Sequence, residues 1–108
     1  MSSHRPTYAS ATCETHRNVG PRGIHGCVTL EFERAPEFQF NSKATWPDGD
    51  DYAAAIESVV RETLVEIQSK HTFKCSLVSI KWHSVDSCQA GFECAARHAT
   101  HLALDTIK

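Results

Sequence analysis

The chain has 108 residues, of which 41% are hydrophobic and 22% charged, and its formal net charge at pH 7 is −2. This length predicts a single domain, residues 1–108, because two separate hydrophobic cores need a longer chain. The longest apolar run, Tyr52–Ile56, is far shorter than the roughly 20 residues of a membrane helix. No secretory signal is recognisable at the N-terminus. We therefore expect a cytoplasmic protein that makes no membrane contact.

The charge is distributed unevenly along the sequence. Residues 31–66 carry nine acidic and three basic side chains, whereas residues 1–25 and the last third of the chain have a positive balance. Charge runs of this kind usually form a solvated face of the protein. The slight overall acidity also argues against a protein that coats nucleic acid with its whole surface.

The cysteines and histidines could in principle support metal binding or catalysis. Cys94, His98 and His101 follow helical spacing, but no tight pair such as CxxC supplies a fixed fourth ligand. We therefore expect Cys94 and His98 to pack in or near the core, with no bound metal. Cys88 lies close in sequence to His83 and Asp86, which are the residue types of a catalytic triad. An aspartate that caps a helix, however, already accepts hydrogen bonds from backbone N–H groups. The prediction is a protein without catalytic residues. The odd cysteine count and the lack of a signal predict reduced thiols.

Four strands are predicted, three before the first helix and one after it. Residues 6–12 form a weak strand, and residues 20–26 form a loop rich in glycine. Cys27–Arg34 is the clearest strand, because apolar residues alternate with polar ones along it. Phe38–Phe40 alternates again after a proline, and we predict a hairpin between these two strands. Phe73–Trp82 is predicted to form the last strand.

Two helices complete the prediction. The first runs from about Ala53 to about Ser69 behind an aspartate cap at position 50 or 51, and the second runs to about Leu104 behind a capping box at Asp86–Gln89. The order β-β-β-α-β-α predicts a two-layer α+β sandwich with both helices on one face of the sheet. The predicted core consists of Leu30, Phe32, Phe40, Ile56, Val60, Leu64, Leu77, Phe92, Ala95 and Ala99.

Three segments in this order resemble domain IV of translation elongation factor G. Gly20–Glu33 is similar to the glycine-arginine-glycine loop and following strand of that domain, and Tyr52–Leu64 is similar to its first helix. The most specific segment is His83-Ser-Val-Asp-Ser-Cys-Gln-Ala-Gly-Phe92, which resembles the family motif His-x-Val-Asp-Ser-Ser-Glu-x-Ala-Phe. The resemblance covers residues 5–104, nearly the whole chain.

The resemblance implies a split β-α-β fold with a left-handed crossover, which a domain of a small-subunit ribosomal protein shares. In the elongation factor, the tip of this domain enters the decoding centre of the ribosome. Guanidinium and backbone N–H groups in such a loop can donate hydrogen bonds to phosphate oxygens. The tip residues that would contact RNA or the ribosome are Gly20, Arg22, Gly23, His25, Gly26, His83 and Ser84. The alternative is that the two segments are solvent-exposed turns whose glycines serve geometry alone.

The sequence also departs from the family pattern. It contains no GxxxxGK[ST] motif, so we expect no nucleotide, no cofactor and no GTP hydrolysis. Pro21 replaces a glycine of the loop, and Cys88, Gln89 and Gly91 replace the usual serine, glutamate and alanine. The sequence therefore predicts a non-enzymatic module that contacts the ribosome or structured RNA. The alternative is a protein-interaction domain that kept the fold and binds a protein partner. The oligomeric state is not predicted.

Overall fold

In the computed structural model, which describes residues 8–19, 22–47, 51–82 and 87–107, the elements follow the predicted order β-β-β-α-β-α. The four strands form one mixed sheet in the order β1-β2-β4-β3. Both helices pack together, and α2 contacts β1 and β2. The predicted two-layer α+β sandwich is confirmed. The elements are β1 Tyr8–Val19, β2 Arg22–Arg34, β3 Gln39–Ser42, α1 Ala53–Ile67, β4 Phe73–Lys81 and α2 Gln89–Ile107.

The strands β1 and β2 form a β-hairpin within the sheet. These strands pair antiparallel from Tyr8–Glu33 to Val19–Arg22 without a register shift. The predicted hairpin between β2 and Phe38–Phe40 is wrong, because β3 pairs in parallel with β4 and is not hydrogen-bonded to β2. Alternation of apolar residues indicates which face of a strand is buried, but it carries no information about the partner strand.

The strand β4 contains a β-bulge that changes which of its residues face the helices. Neighbouring positions of β2 pair with Leu77 and Ser79, so Val78 is an extra residue without an opposite partner. The bulge places Leu77 and Ile80 on the same face, where both contact the core. This explains why the apolar pattern of β4 shifts phase near its middle.

The helix boundaries differ slightly from the predicted ones. The Asp51 carboxylate accepts a hydrogen bond from the Ala53 N–H at 2.9 Å, before the first turn of α1. At the other end Gln68 adopts a left-handed conformation with φ of 59°, which closes the helix. The helix α2 begins at Gln89, and the Gln89 amide donates to Glu93. The first intrahelical bond runs from the Phe92 N–H to the Cys88 carbonyl, so Cys88 is the N-cap position. The predicted capping contacts of Asp86 lie outside the described residues.

The core lies between the helices and the inner face of the sheet. Eight of the ten predicted core residues are buried, and the other two, Phe40 and Leu64, pack against the core while partly exposed. Phe73 and Cys75 are also fully buried. Burial raises the pKa of the Cys75 thiol to about 12, so this cysteine behaves as a small apolar residue.

The molecule is elongated, with extents of 54 × 26 × 23 Å. One end, which we call the tip end, is formed by the hairpin residues next to Val19 and Arg22. The opposite end, the base end, contains Tyr8 and the cavity lined by Arg34 and Ile107. The first and last described residues therefore both lie at the base end. Within the described part of the chain, no helix is long and apolar enough to cross a membrane.

Candidate functional site

The hairpin of β1 and β2 extends beyond the rest of the sheet at the tip end. The last residue of β2 that pairs with β4 is Cys27, whose partner is Lys81. Five further pairs of the hairpin, from Thr15–Gly26 to Val19–Arg22, have no β4 partner. At about 3.4 Å per residue, the hairpin projects roughly 15 Å past the end of β4.

The predicted loop over residues 20–26 is therefore wrong from Arg22 onward. Gly23, His25 and Gly26 belong to β2, and Arg22 is its first residue. The side chain of Arg22 lies outside the described part of the structure, as do Gly20, His83 and Ser84. The loop is predicted because three glycines are spaced by three residues. A glycine can serve either unusual backbone angles or close packing, and the sequence does not distinguish these two roles.

Gly26 is required for close packing. A Cβ atom built on Gly26 would overlap the backbone of Gly91 and Phe92 at the start of α2. A Cβ atom on Gly91 would likewise overlap the backbone of His25. The strand and the helix therefore touch backbone to backbone, and this contact sets the position of α2 at the tip end.

His25 is 7% exposed and connects three parts of the tip end. Its Nε2 atom lies 2.8 Å from Glu14 Oε2 on β1, and its Nδ1 atom lies 3.3 Å from Ser87 Oγ. The hydrogen bond from His25 lowers the pKa of the Glu14 carboxyl, as do the nearby positive charges. His25 is thus a buried link and not a solvent-facing side chain of a loop.

Ser87 and Cys88, immediately before α2, lie beside His25 of β2. Ser87 forms a parallel bridge with His25, and the Cys88 N–H donates to the His25 carbonyl at 3.3 Å. His25, from the first predicted tip segment, is therefore a direct neighbour of Ser87 and Cys88. The position of His83 itself lies outside the described residues.

The projecting hairpin carries positive charge without acidic neighbours in sequence. Between Glu14 and Glu31 the sequence contains two arginines and two histidines and no acidic residue. His16 and Arg17 are exposed on β1. Because the whole chain has a net charge of −2, the two arginines distinguish the hairpin from the acidic segment 31–66.

An aromatic cluster, which the sequence analysis missed, supports the tip end from the helix side. The cluster consists of Trp46, Tyr52, Trp82 and Phe92, with ring centroids 5.1–6.4 Å apart. Trp46 Nε1 is buried and has no hydrogen-bond partner among the described residues. These residues come from three separate segments, the β3–α1 connection, the end of β4 and α2, so no local pattern in the sequence indicates that they meet.

The structure does not assemble the metal ligands considered from the sequence. The described residues contain no group of three His, Cys, Asp or Glu side chains that could hold a metal ion. Cys94 is half-buried, but His98 and His101 are exposed, so the prediction of core packing is wrong for His98. The helix turns His98 outward because Ala95, Ala96 and Ala99 occupy the buried stripe.

Glu14, His25 and Ser87 form a chain of a carboxylate, an imidazole and a hydroxyl, which are the residue types of some hydrolase active sites. The cavities at the base end, beside α1 and on the outer face of the sheet include none of these three side chains. Their geometry accounts for a structural link between β1, β2 and the start of α2.

A structural comparison finds the same fold in a longer protein. The chain is similar to the crystal structure of ttk003000868 from Thermus thermophilus, with a TM-score of 0.82 and 25% sequence identity. The similarity covers 94% of this chain and 16% of the Thermus chain, so this chain spans about one sixth of that protein's length. No family model matches the sequence, and no curated protein matches it.

Proposed function

We propose that this protein is a non-enzymatic binding module that contacts structured ribosomal RNA through its tip end. The observation that carries the proposal is the hairpin that projects past β4 and carries Arg17 and Arg22 with no acidic residue between Glu14 and Glu31. A cytoplasmic location, where ribosomes work, belongs to the same proposal.

The chemistry of the hairpin suits contact with phosphate groups. Arginine presents several N–H donors in a planar fork that matches phosphate oxygens, and its charge persists at all physiological pH values. A narrow antiparallel hairpin can enter a groove or cleft that would exclude the 26 × 23 Å body. The acidic residues concentrated in 31–66 would be repelled by RNA, which favours an approach with the tip end first.

Two further findings support the proposal. The resemblance to domain IV of elongation factor G implies a ribosome-contacting role for two segments, the first of which contributes Arg22 and His25 to β2 here. The similar fold in the Thermus chain occupies about one sixth of a longer protein, as expected for a fold that serves as one module among several.

The proposal predicts salt-dependent binding to ribosomes. Purified 70S ribosomes are sedimented with the protein over a range of KCl concentrations, and the affinity is plotted against salt concentration on logarithmic axes. Each phosphate contact contributes about one unit to the slope. We expect Arg17→Gln and Arg22→Gln each to weaken binding and to reduce the slope by about one unit. The melting temperature of Arg17→Gln should stay unchanged, because Arg17 is exposed.

Arg61→Gln is the matched control, because it removes the same charge from α1, where Arg61 pairs with Glu57 at 3.1 Å. This variant should bind ribosomes as the parent does. The proposal is wrong if the parent fails to sediment with ribosomes at low salt, or if the hairpin variants bind as tightly as the parent. Retention of a protein partner that resists high salt would instead favour the protein-interaction alternative.

A further inference from the structure

A cavity at the base end, which we call the base cleft, combines an apolar floor with a basic rim. Its volume is about 290 Å³, at the lower limit of the range of about 300–1,000 Å³ for small-molecule sites. The floor consists of Ile67, Phe73, Leu104 and Ile107, and the rim includes Arg34 and Lys70. The cleft lies at the opposite end of the molecule from the hairpin tip.

The charge of the base cleft is not neutralised by its own lining. No acidic side chain is among the described residues that line it. Arg34 donates a hydrogen bond of 2.7 Å to His71 Nδ1, and no described carboxylate forms an ion pair with Arg34 or Lys70. The helix arginines differ in this respect, since Arg61 pairs with Glu57, and Arg97 with two glutamates of α1.

The rim of the cleft is held in place by a network of short hydrogen bonds. Ala35 and Thr72 exchange two bonds, from the Ala35 N–H to the Thr72 carbonyl at 3.0 Å and from Thr72 Oγ1 to the Ala35 carbonyl at 2.6 Å. Ser69 Oγ donates to the His71 carbonyl at 2.8 Å. The end of β2 and the turn between α1 and β4 are thus tied together, so the two cations flank a preformed opening.

We propose that the base cleft binds a medium-chain aliphatic carboxylate, with the carboxylate between Arg34 and Lys70 and the alkyl chain on the apolar floor. The lining matches both halves of such a ligand, because Arg34 and Lys70 can donate hydrogen bonds to a carboxylate and the floor is apolar. The volume admits about ten water-sized groups, at roughly 30 Å³ each. Octanoate, with ten heavy atoms, is the probe of matching size.

The test is an NMR titration of the isotope-labelled protein with octanoate, in which amide shifts report the place and strength of binding. We expect the shifts to centre on residues 67–73 and on the end of α2. Each CH₂ group removed from the chain, down to butanoate, should weaken binding about fourfold. Arg34→Gln and Lys70→Gln should each weaken octanoate binding about threefold, and the double variant about tenfold, since exposed ion pairs contribute modestly.

Lys74→Gln is the matched control, because Lys74 lies one strand position from Phe73 but lines a different, polar cavity on the outer face of the sheet. It should leave octanoate binding unchanged. The proposal is overturned if octanol binds as tightly as octanoate, if the double variant keeps the parent's affinity, or if octanoate shifts no amide of the cleft up to its solubility limit. Ribosome sedimentation of the double variant tests the tip-end proposal separately. The double variant should bind ribosomes as the parent does, because neither Arg34 nor Lys70 belongs to the projecting part of the hairpin.

Discussion

At the scale of single residues, the tip end depends on Gly26 and Gly91. Each glycine leaves room for the backbone of the other element, so the strand and the helix approach more closely than any side chain permits. The atoms that an added methyl group would meet belong to backbone, and no rotamer change can move them away. The pair therefore acts as one structural unit, although 65 positions separate the two residues in the sequence.

Gly26→Ala is expected to destabilise the fold by about 3 kcal/mol, at the upper end of the usual cost of overpacking, because the whole start of α2 must shift. Urea denaturation measures the change in the free energy of unfolding. Ala90→Ser, at an exposed position next to Gly91, is the control and should change it by less than about 0.5 kcal/mol. An equally small loss in Gly26→Ala would contradict the backbone contact.

Glu14→Gln tests the link between Glu14 and His25 through its pH dependence. The pKa of Glu14 is lowered from its ordinary value of 4.5, mainly by the hydrogen bond from His25. A lowered pKa in the folded state stabilises the protein above pH 4.5, and this contribution is lost as the pH falls through the lowered value. The variant should therefore melt at a lower temperature than the parent at neutral pH.

The difference in melting temperature between Glu14→Gln and the parent should shrink as the pH falls below 4.5. Melting curves recorded by circular dichroism over this range provide the measurement. Glu37→Gln, an exposed change on the β2–β3 connection, should follow the parent at every pH. A constant difference for Glu14→Gln across the range would show that the carboxylate charge contributes nothing.

At the scale of secondary structure, periodicity predicted which residues face the core but not which strands pair. Val28, Leu30 and Phe32 are buried as their alternation indicates. The prediction for the hairpin partner of β2 is wrong because alanine and serine dilute the β-forming residues at the start of β1 and give a weak strand pattern. Its small side chains are needed under α2, where Ala9 is buried. Packing between the sheet and the helices thus favours small side chains in β1, although these residues have a low strand propensity.

Phe92→Ala is expected to cost about 3–5 kcal/mol, because Phe92 is fully buried and stacks on Trp82 in the aromatic cluster. Removing the ring leaves a cavity between α2 and the connection that follows β4. Urea denaturation provides the measurement, with Phe38→Ala, a partly exposed ring under Arg61, as a control that should cost less. A loss below about 1 kcal/mol would mean that α2 is not docked through this ring.

At the scale of the whole molecule, the order of the predicted elements was sufficient to predict the two-layer α+β sandwich. His25 lies beside Ser87, although 62 positions separate the two residues in the sequence. The sequence did not predict the base cleft, because its lining comes from the ends of two strands and two helices that only the folded topology brings together. The positive charge of the hairpin was visible in the sequence, but its projection depends on where β4 ends.

The position of Tyr8 and Ile107 at one end has a consequence for protein engineering. Because the described chain begins and ends at the base end, a host protein could receive this domain within a surface loop through two short linkers. The hairpin would then point away from the host by most of the 54 Å length. The same geometry would present any peptide grafted between Val19 and Arg22 at a defined distance from the host surface.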